Sequence, residues 1–149
     1  SIISSQKEGN IMKIEEINQR AFLAHMKISR CGTLFDITYK NSFLSKETEK
    51  NIKDKIGKIR KNTNEELDFY KELQRQFISN KPLEIDLLRL SFIIDVQKKL
   101  IDELITLLNT SDLTTGYKRK MLKCIREGLI DALNPQTNES KSATHKRRA

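Results

Sequence analysis

The chain has 149 residues, enough for one domain with a core of its own and too few for two ordinary ones, and 37% of it is hydrophobic against 32% charged. Five Gly and two Pro are too few for the closely spaced turns of a sheet protein, which points away from all-β and α/β folds. The 28 basic residues outnumber the 20 acidic ones, a formal net charge of +8, so an anionic partner is open to the chain. No apolar run approaches the roughly twenty residues of a membrane-spanning helix, and Ser1 to Asn10 lacks the apolar core of a signal peptide.

Ile11, Ile14, Ile17, Ala21, Phe22 and Met26 recur at steps of three and four, which predicts an amphipathic helix over about residues 10–28. Cys31, Gly32 and Thr33 interrupt it, and Leu34 to Leu44 reads as a short helical or extended segment that plugs the core. Ser45 is the next cap, with Glu47 and Glu49 at the positive end of the helix dipole. Ile52, Ile56, Ile59, Thr63, Leu67, Tyr70 and Phe77 then describe one long helix over about residues 46–79, with a bend near Asn62 to Asn64 as the alternative.

Ser79 to Pro82 forms a turn, and Pro82 at a first helical position starts a helix running back antiparallel. Leu83, Leu87, Leu90 and Ile94 together with Leu88, Phe92, Ile93 and Val96 make its first half apolar nearly all round, as expected of a central helix or of one with an interface. Asn109 to Asp112 supplies caps, and Leu113, Tyr117, Met121, Cys124, Ile125, Leu129 and Leu133 describe a last helix stopped at Asn134 and Pro135. The expectation is an all-α, antiparallel helical bundle of four main helices plus one short segment. A flexible N-terminus (residues 1–9), one domain (10–134) and a disordered basic C-terminal tail (135–149) complete the organisation.

Basic charge is concentrated in three places. Lys46 to Lys61 carries +4 and Gln136 to Ala149 carries +3, while Lys118, Arg119, Lys120, Lys123 and Arg126 cluster on the last helix. The residues chosen for an anionic partner, nucleic acid or sulfated polysaccharide, are Lys53, Lys58, Lys61, Lys118, Arg119, Lys120, Lys146, Arg147 and Arg148. Cys31 and Cys124 have neither zinc-ligand nor redox spacing and read as two buried thiols; bridged, they would close a loop worth about 4–5 kcal/mol. Carboxylate pairs such as Glu65-Glu66 and Asp102-Glu103 read as salt-bridge partners. With no catalytic motif, metal set or phosphate-cradling loop, the expectation is a non-enzymatic module with no cofactor. Its interface is expected at Ile52, Ile56 and Ile59 with Leu87, Leu90 and Ile94, binding a protein partner or a second copy.

Two resemblances offer alternatives. His25, then Gly32-Thr33-Leu34-Phe35, Lys40-Asn41, and Val96 to Ile105, with the basic Lys146-Arg147-Arg148, are similar in kind and order to segments of the interferon gamma family of helical cytokines. That resemblance implies a secreted, interlocked homodimer that binds a receptor, and the triplets at Asn109 and Asn138 are compatible with glycosylation. Arg20 and His25, four residues between them, resemble the paired Arg and His of helical ribonucleases of the HEPN type. Localisation leans to the cell interior on the first reading and to secretion on the cytokine one.

Overall fold

The computed structural model describes residues 12–41, 43–80 and 85–133. Within them the fold is all-α, an antiparallel bundle of four main helices: α1 (Ile14–Tyr39), α2 (Lys46–Ile78), α3 (Leu87–Thr110) and α4 (Thr115–Ile125). The last helix continues through a π-helical turn, Arg126–Ile130, and a final turn, Asp131–Leu133. The N-terminal and C-terminal segments, Pro82, Leu83 and Glu84 lie outside the described residues.

The first helix is eleven residues longer than its expected end at 28, because the break at Gly32 does not occur. Cys31, Leu34 and Thr38 carry the inward stripe of Ile17, Ala21 and Ala24 onward at helical spacing, and Gly32 in a helix interior costs only about 1 kcal/mol. The segment expected to plug the core is therefore the end of α1. Its Tyr39 and the following Phe43 are exposed rather than inserted. Glu15 and Glu16 occupy the first turn of α1, which has no side-chain cap.

Ser45 caps α2 as expected, its hydroxyl accepting from the Thr48 N–H at 3.2 Å. The helix runs unbroken through Asn62 to Asn64 for 33 residues, about 50 Å at 1.5 Å per residue. Asn80, at φ 55°, ends it in the left-handed conformation that Asn tolerates and a helix C-terminus uses. The described start of α3 is capped by Asp86, whose carboxylate accepts from the Arg89 N–H at 3.0 Å. That places the cap four residues beyond Pro82. Thr114, rather than Asn109 to Asp112, caps α4 by accepting from the Tyr117 N–H at 3.4 Å.

Cross-helix pairs fix the directions. Gln74 donates to Asn18 at 2.7 Å and Lys27 to Glu66 at 2.7 Å, so α1 and α2 are antiparallel. Lys55 donates to Glu103 at 2.9 Å while Gln97 donates to Asn62 at 2.8 Å, which sets α3 against α2. Thr38 and Tyr117 share a hydrogen bond of 2.8 Å between α1 and α4. Two apolar cores result. One, around Leu34, Ile56, Leu104 and Met121, draws on all four helices; the other, around Ile17, Tyr70, Leu73 and Leu90, draws on α1, α2 and α3.

Candidate functional site

Between the two cores lies a buried polar cluster of which sequence reading gave a polar role only to Glu66, as a salt-bridge partner. The Lys27 ammonium donates to Glu66 Oε1 at 2.7 Å and to Gln97 Oε1 at 2.6 Å. Gln97 Nε2 donates to Glu66 Oε1 at 3.0 Å and to Asn62 Oδ1 at 2.8 Å, and the Tyr70 hydroxyl donates to Glu66 Oε2 at 2.7 Å. Asn62 Nδ2 closes the set on the Ile93 carbonyl at 3.1 Å. Burial pulls the Lys27 pKa below its ordinary value while the Glu66 carboxylate opposes that pull, and burial pushes the Tyr70 hydroxyl upward, Glu66 adding to it. With every group partnered and shielded, the cluster ties α1, α2 and α3 together rather than presenting a reactive group.

The cluster also orients α3. Gln97 sits on the inward stripe with Leu90, Ile93, Ile101, Leu104 and Leu108, so the other apolar strip of this helix points outward. Leu88 is 76% exposed and Phe92 68%, and Val96, half-buried, continues them at i+4. Among the described residues nothing covers Leu88 and Phe92, since the second core takes no residue from α4. The last helix, 19 residues to Leu133 with its π-turn and final turn, spans only about 28 Å.

This arrangement corrects the expected interface. Ile52, Ile56 and Ile59 are fully buried in the bundle, and Leu90 is also buried, while Leu87 and Ile94 are half-buried against the second core. None of the six forms an outer face. The reverse holds for Phe22, Met26 and Phe77, which the helical spacing assigned to inward stripes: all three are exposed, Phe22 and Met26 directly beside the buried Ala21 and Lys27.

The cationic residues divide in the same way. Lys53 pairs with Glu49 at 3.2 Å and lies 5.5 Å from the Tyr39 ring centroid, whereas Lys58 and Lys61 are exposed on α2. Lys118 is half-buried and Arg119 and Lys120 are exposed; Lys146, Arg147, Arg148 and Asn138 lie outside the described residues. Lys55 on Glu103 holds that carboxyl below its usual range, chiefly by hydrogen bonding.

An open cleft of about 500 Å³ separates the end of α1 from the start of α4, lined among others by Thr33, Ile37, Lys40, Asn41, Phe43 and Tyr117. Lys40 pairs with Asp36 on its rim at 3.3 Å. Cys31 and Cys124 are both free and buried. Burial pushes the Cys31 thiol up to about 12 and raises Cys124, against the pull of Arg60 on the first and Arg30 on the second. Arg20 pairs with Glu16 at 3.2 Å and His25 is exposed; five positions apart, the two lie about 140° round the helix from each other. Among the described residues no three or more His, Cys, Asp or Glu side chains are placed to hold a metal ion, and no helix is long and apolar enough to cross a membrane.

Comparison with protein-family models, curated proteins and solved structures finds no match for this chain.

Proposed function

We propose that the chain is a non-enzymatic protein-interaction module whose docking element is the outer ridge of α3 and whose partner is a second copy of itself. The observation that carries the reading is that Leu88 and Phe92, 76% and 68% exposed, stand on the face of α3 turned away from its buried stripe. Leu88, Phe92 and Val96 form a ridge at steps of four, the kind that packs into the matching groove of another helix at about −50°.

The ridge is also self-complementary. An antiparallel crossing centred on Phe92 sets Phe92 against its counterpart and Leu88 against the counterpart of Val96, which is the isologous contact a twofold dimer needs. Three side chains a side fall short of the roughly 800 Å² per partner of a stable interface. The dimer is accordingly weak, with Kd on the order of 10–100 µM.

Sedimentation equilibrium from about 1 to about 200 µM tests it. The expected result is a monomer at the low end, a dimer at the high end, and a monomer throughout for Phe92→Lys with an unchanged thermal midpoint. A chain that stays monomeric at the highest concentration, or a Phe92→Lys variant that dimerises like the parent, removes the self-pairing.

A further inference from the structure

The cations of the last helix form a surface that the α3 ridge does not use. From Leu113 to Arg126 the sequence holds Lys118, Arg119, Lys120, Lys123 and Arg126 and no carboxylate. All but Lys118 are exposed. None of the exposed four makes an ion pair with a described carboxylate, whereas Lys53 and Lys55 of α2 are paired with Glu49 and Glu103. Arg119, Lys123 and Arg126, at steps of four and three, lie along one strip about 10 Å long, with Lys120 beside it.

The neighbours of the strip narrow the kind of anion. A helix that lies in a lipid surface needs apolar side chains to insert beside its cations, and here Tyr117, Met121, Cys124 and Ile125 are spent on the bundle core. Lysine and arginine without aromatic or amide neighbours suit a dense, regular array of phosphates, whose backbone oxygens they meet whatever the sequence. Guanidinium groups at Arg119 and Arg126 add paired donors for phosphate oxygens.

We infer that the strip formed by Arg119, Lys120, Lys123 and Arg126 binds the phosphate backbone of double-stranded nucleic acid without regard to sequence. Binding rests on counterion release, so it is strong at low salt and falls steeply as salt rises.

The test is fluorescence anisotropy of the full chain with labelled duplexes of about 20 base pairs, one DNA and one RNA of the same sequence, across salt from about 50 to about 200 mM. Neutralising Arg119→Gln, Lys123→Gln and Arg126→Gln together should weaken binding at the lowest salt at least about 30-fold and flatten the slope of log K against log salt by about 2.7, at roughly 0.9 per phosphate contact. A control of equal net charge, Lys71→Gln on α2 with Lys98→Gln and Lys99→Gln on α3, all exposed, should stay within about threefold of the parent. Lys123→Gln alone should flatten the slope by about one, which guards against a fold defect in the triple variant. Binding of both duplexes marks the backbone itself as the ligand; preference for one assigns the strip to that duplex geometry. Equal losses in the two triple variants, no duplex binding at the lowest salt, or binding to phosphatidylserine vesicles in place of duplex would overturn the inference.

Discussion

Removing the Lys27 side chain should destabilise the fold more than any surface substitution, and the polar cluster gives the size of the effect. Lys27 is 1% exposed and its partner Glu66 is 4% exposed, at 2.7 Å. In Lys27→Met the Glu66 carboxylate keeps only two neutral donors, Tyr70 and Gln97, and a buried charge stripped of its counter-charge costs about 3–5 kcal/mol. Against a total stability of about 5–15 kcal/mol that is a large fraction. Glu66→Gln leaves the ammonium buried instead and should cost a similar amount at neutral pH. Its loss should shrink as pH rises: burial lowers the Lys27 pKa, so the unfolded chain binds the extra proton and stability climbs with pH up to the unfolded value near 10.5.

The double variant separates a charge effect from a packing effect. With Lys27→Met and Glu66→Gln together no charge is buried, and Tyr70, Gln97 and Asn62 retain amide partners, so the double variant should lie within about 1–2 kcal/mol of the parent. Urea unfolding with a common slope m reads all four corners of the cycle. Single variants that each cost less than about 1 kcal/mol, or a double variant as unstable as the sum of its parts, would refute the reasoning.

Two further expectations concern single sites. The Cys31 thiol, held to about 12 against 9.0 in the unfolded chain, keeps its proton in the fold while the unfolded chain loses it. Stability should therefore fall by about 1.4 kcal/mol per pH unit between pH 9 and 12 on its account, a slope that Cys31→Ala, melted at each pH, should reduce; an unchanged slope would show that other groups set it. Gly32 and Gly128 should respond to Ala in opposite directions. A Cβ at Gly32 meets nothing, so Gly32→Ala should stabilise by up to about 1 kcal/mol, whereas a Cβ at Gly128 would overlap Arg30 Cγ and Cδ and should cost about 1–3 kcal/mol. Urea midpoints that move together for the two variants would contradict the packing.

The helical bundle was legible because Ile52, Ile56, Ile59, Leu104 and Met121 keep helical spacing and few turn residues interrupt it. The end of the first helix was misplaced for a local reason: Gly32 looks like a stop, but Cys31, Leu34 and Thr38 on either side hold the stripe, and three buried positions outweigh one weak residue. The polar cluster was illegible by residue type, since Lys, Glu and Gln belong to surfaces by default. Its trace lay in position. Lys27 falls between Ala24 and Cys31, Glu66 between Thr63 and Tyr70, and Gln97 between Ile93 and Ile101, each three or four residues from buried neighbours.

That trace also decides what hydropathy alone left open, namely which half of α3 is inside. Its sequence offers two apolar strips, one through Leu90, Ile93 and Ile101 and one through Leu88, Phe92 and Val96, and oily contact would accept either. Turning the second strip inward would carry Gln97 outward and break its bonds to Lys27, Glu66 and Asn62, each on the order of 1–3 kcal/mol when a buried group is left unpaired. The cluster acts here as a polar residue does at a coiled-coil seam, giving up some stability to fix one register. On this hypothesis the charge-free double variant has a further signature: a nearly normal urea midpoint with poorly dispersed NMR resonances from α3, as its two faces compete. Well-dispersed, parent-like α3 resonances in that variant would mean that packing alone, and no polar lock, keeps Phe92 on the outside.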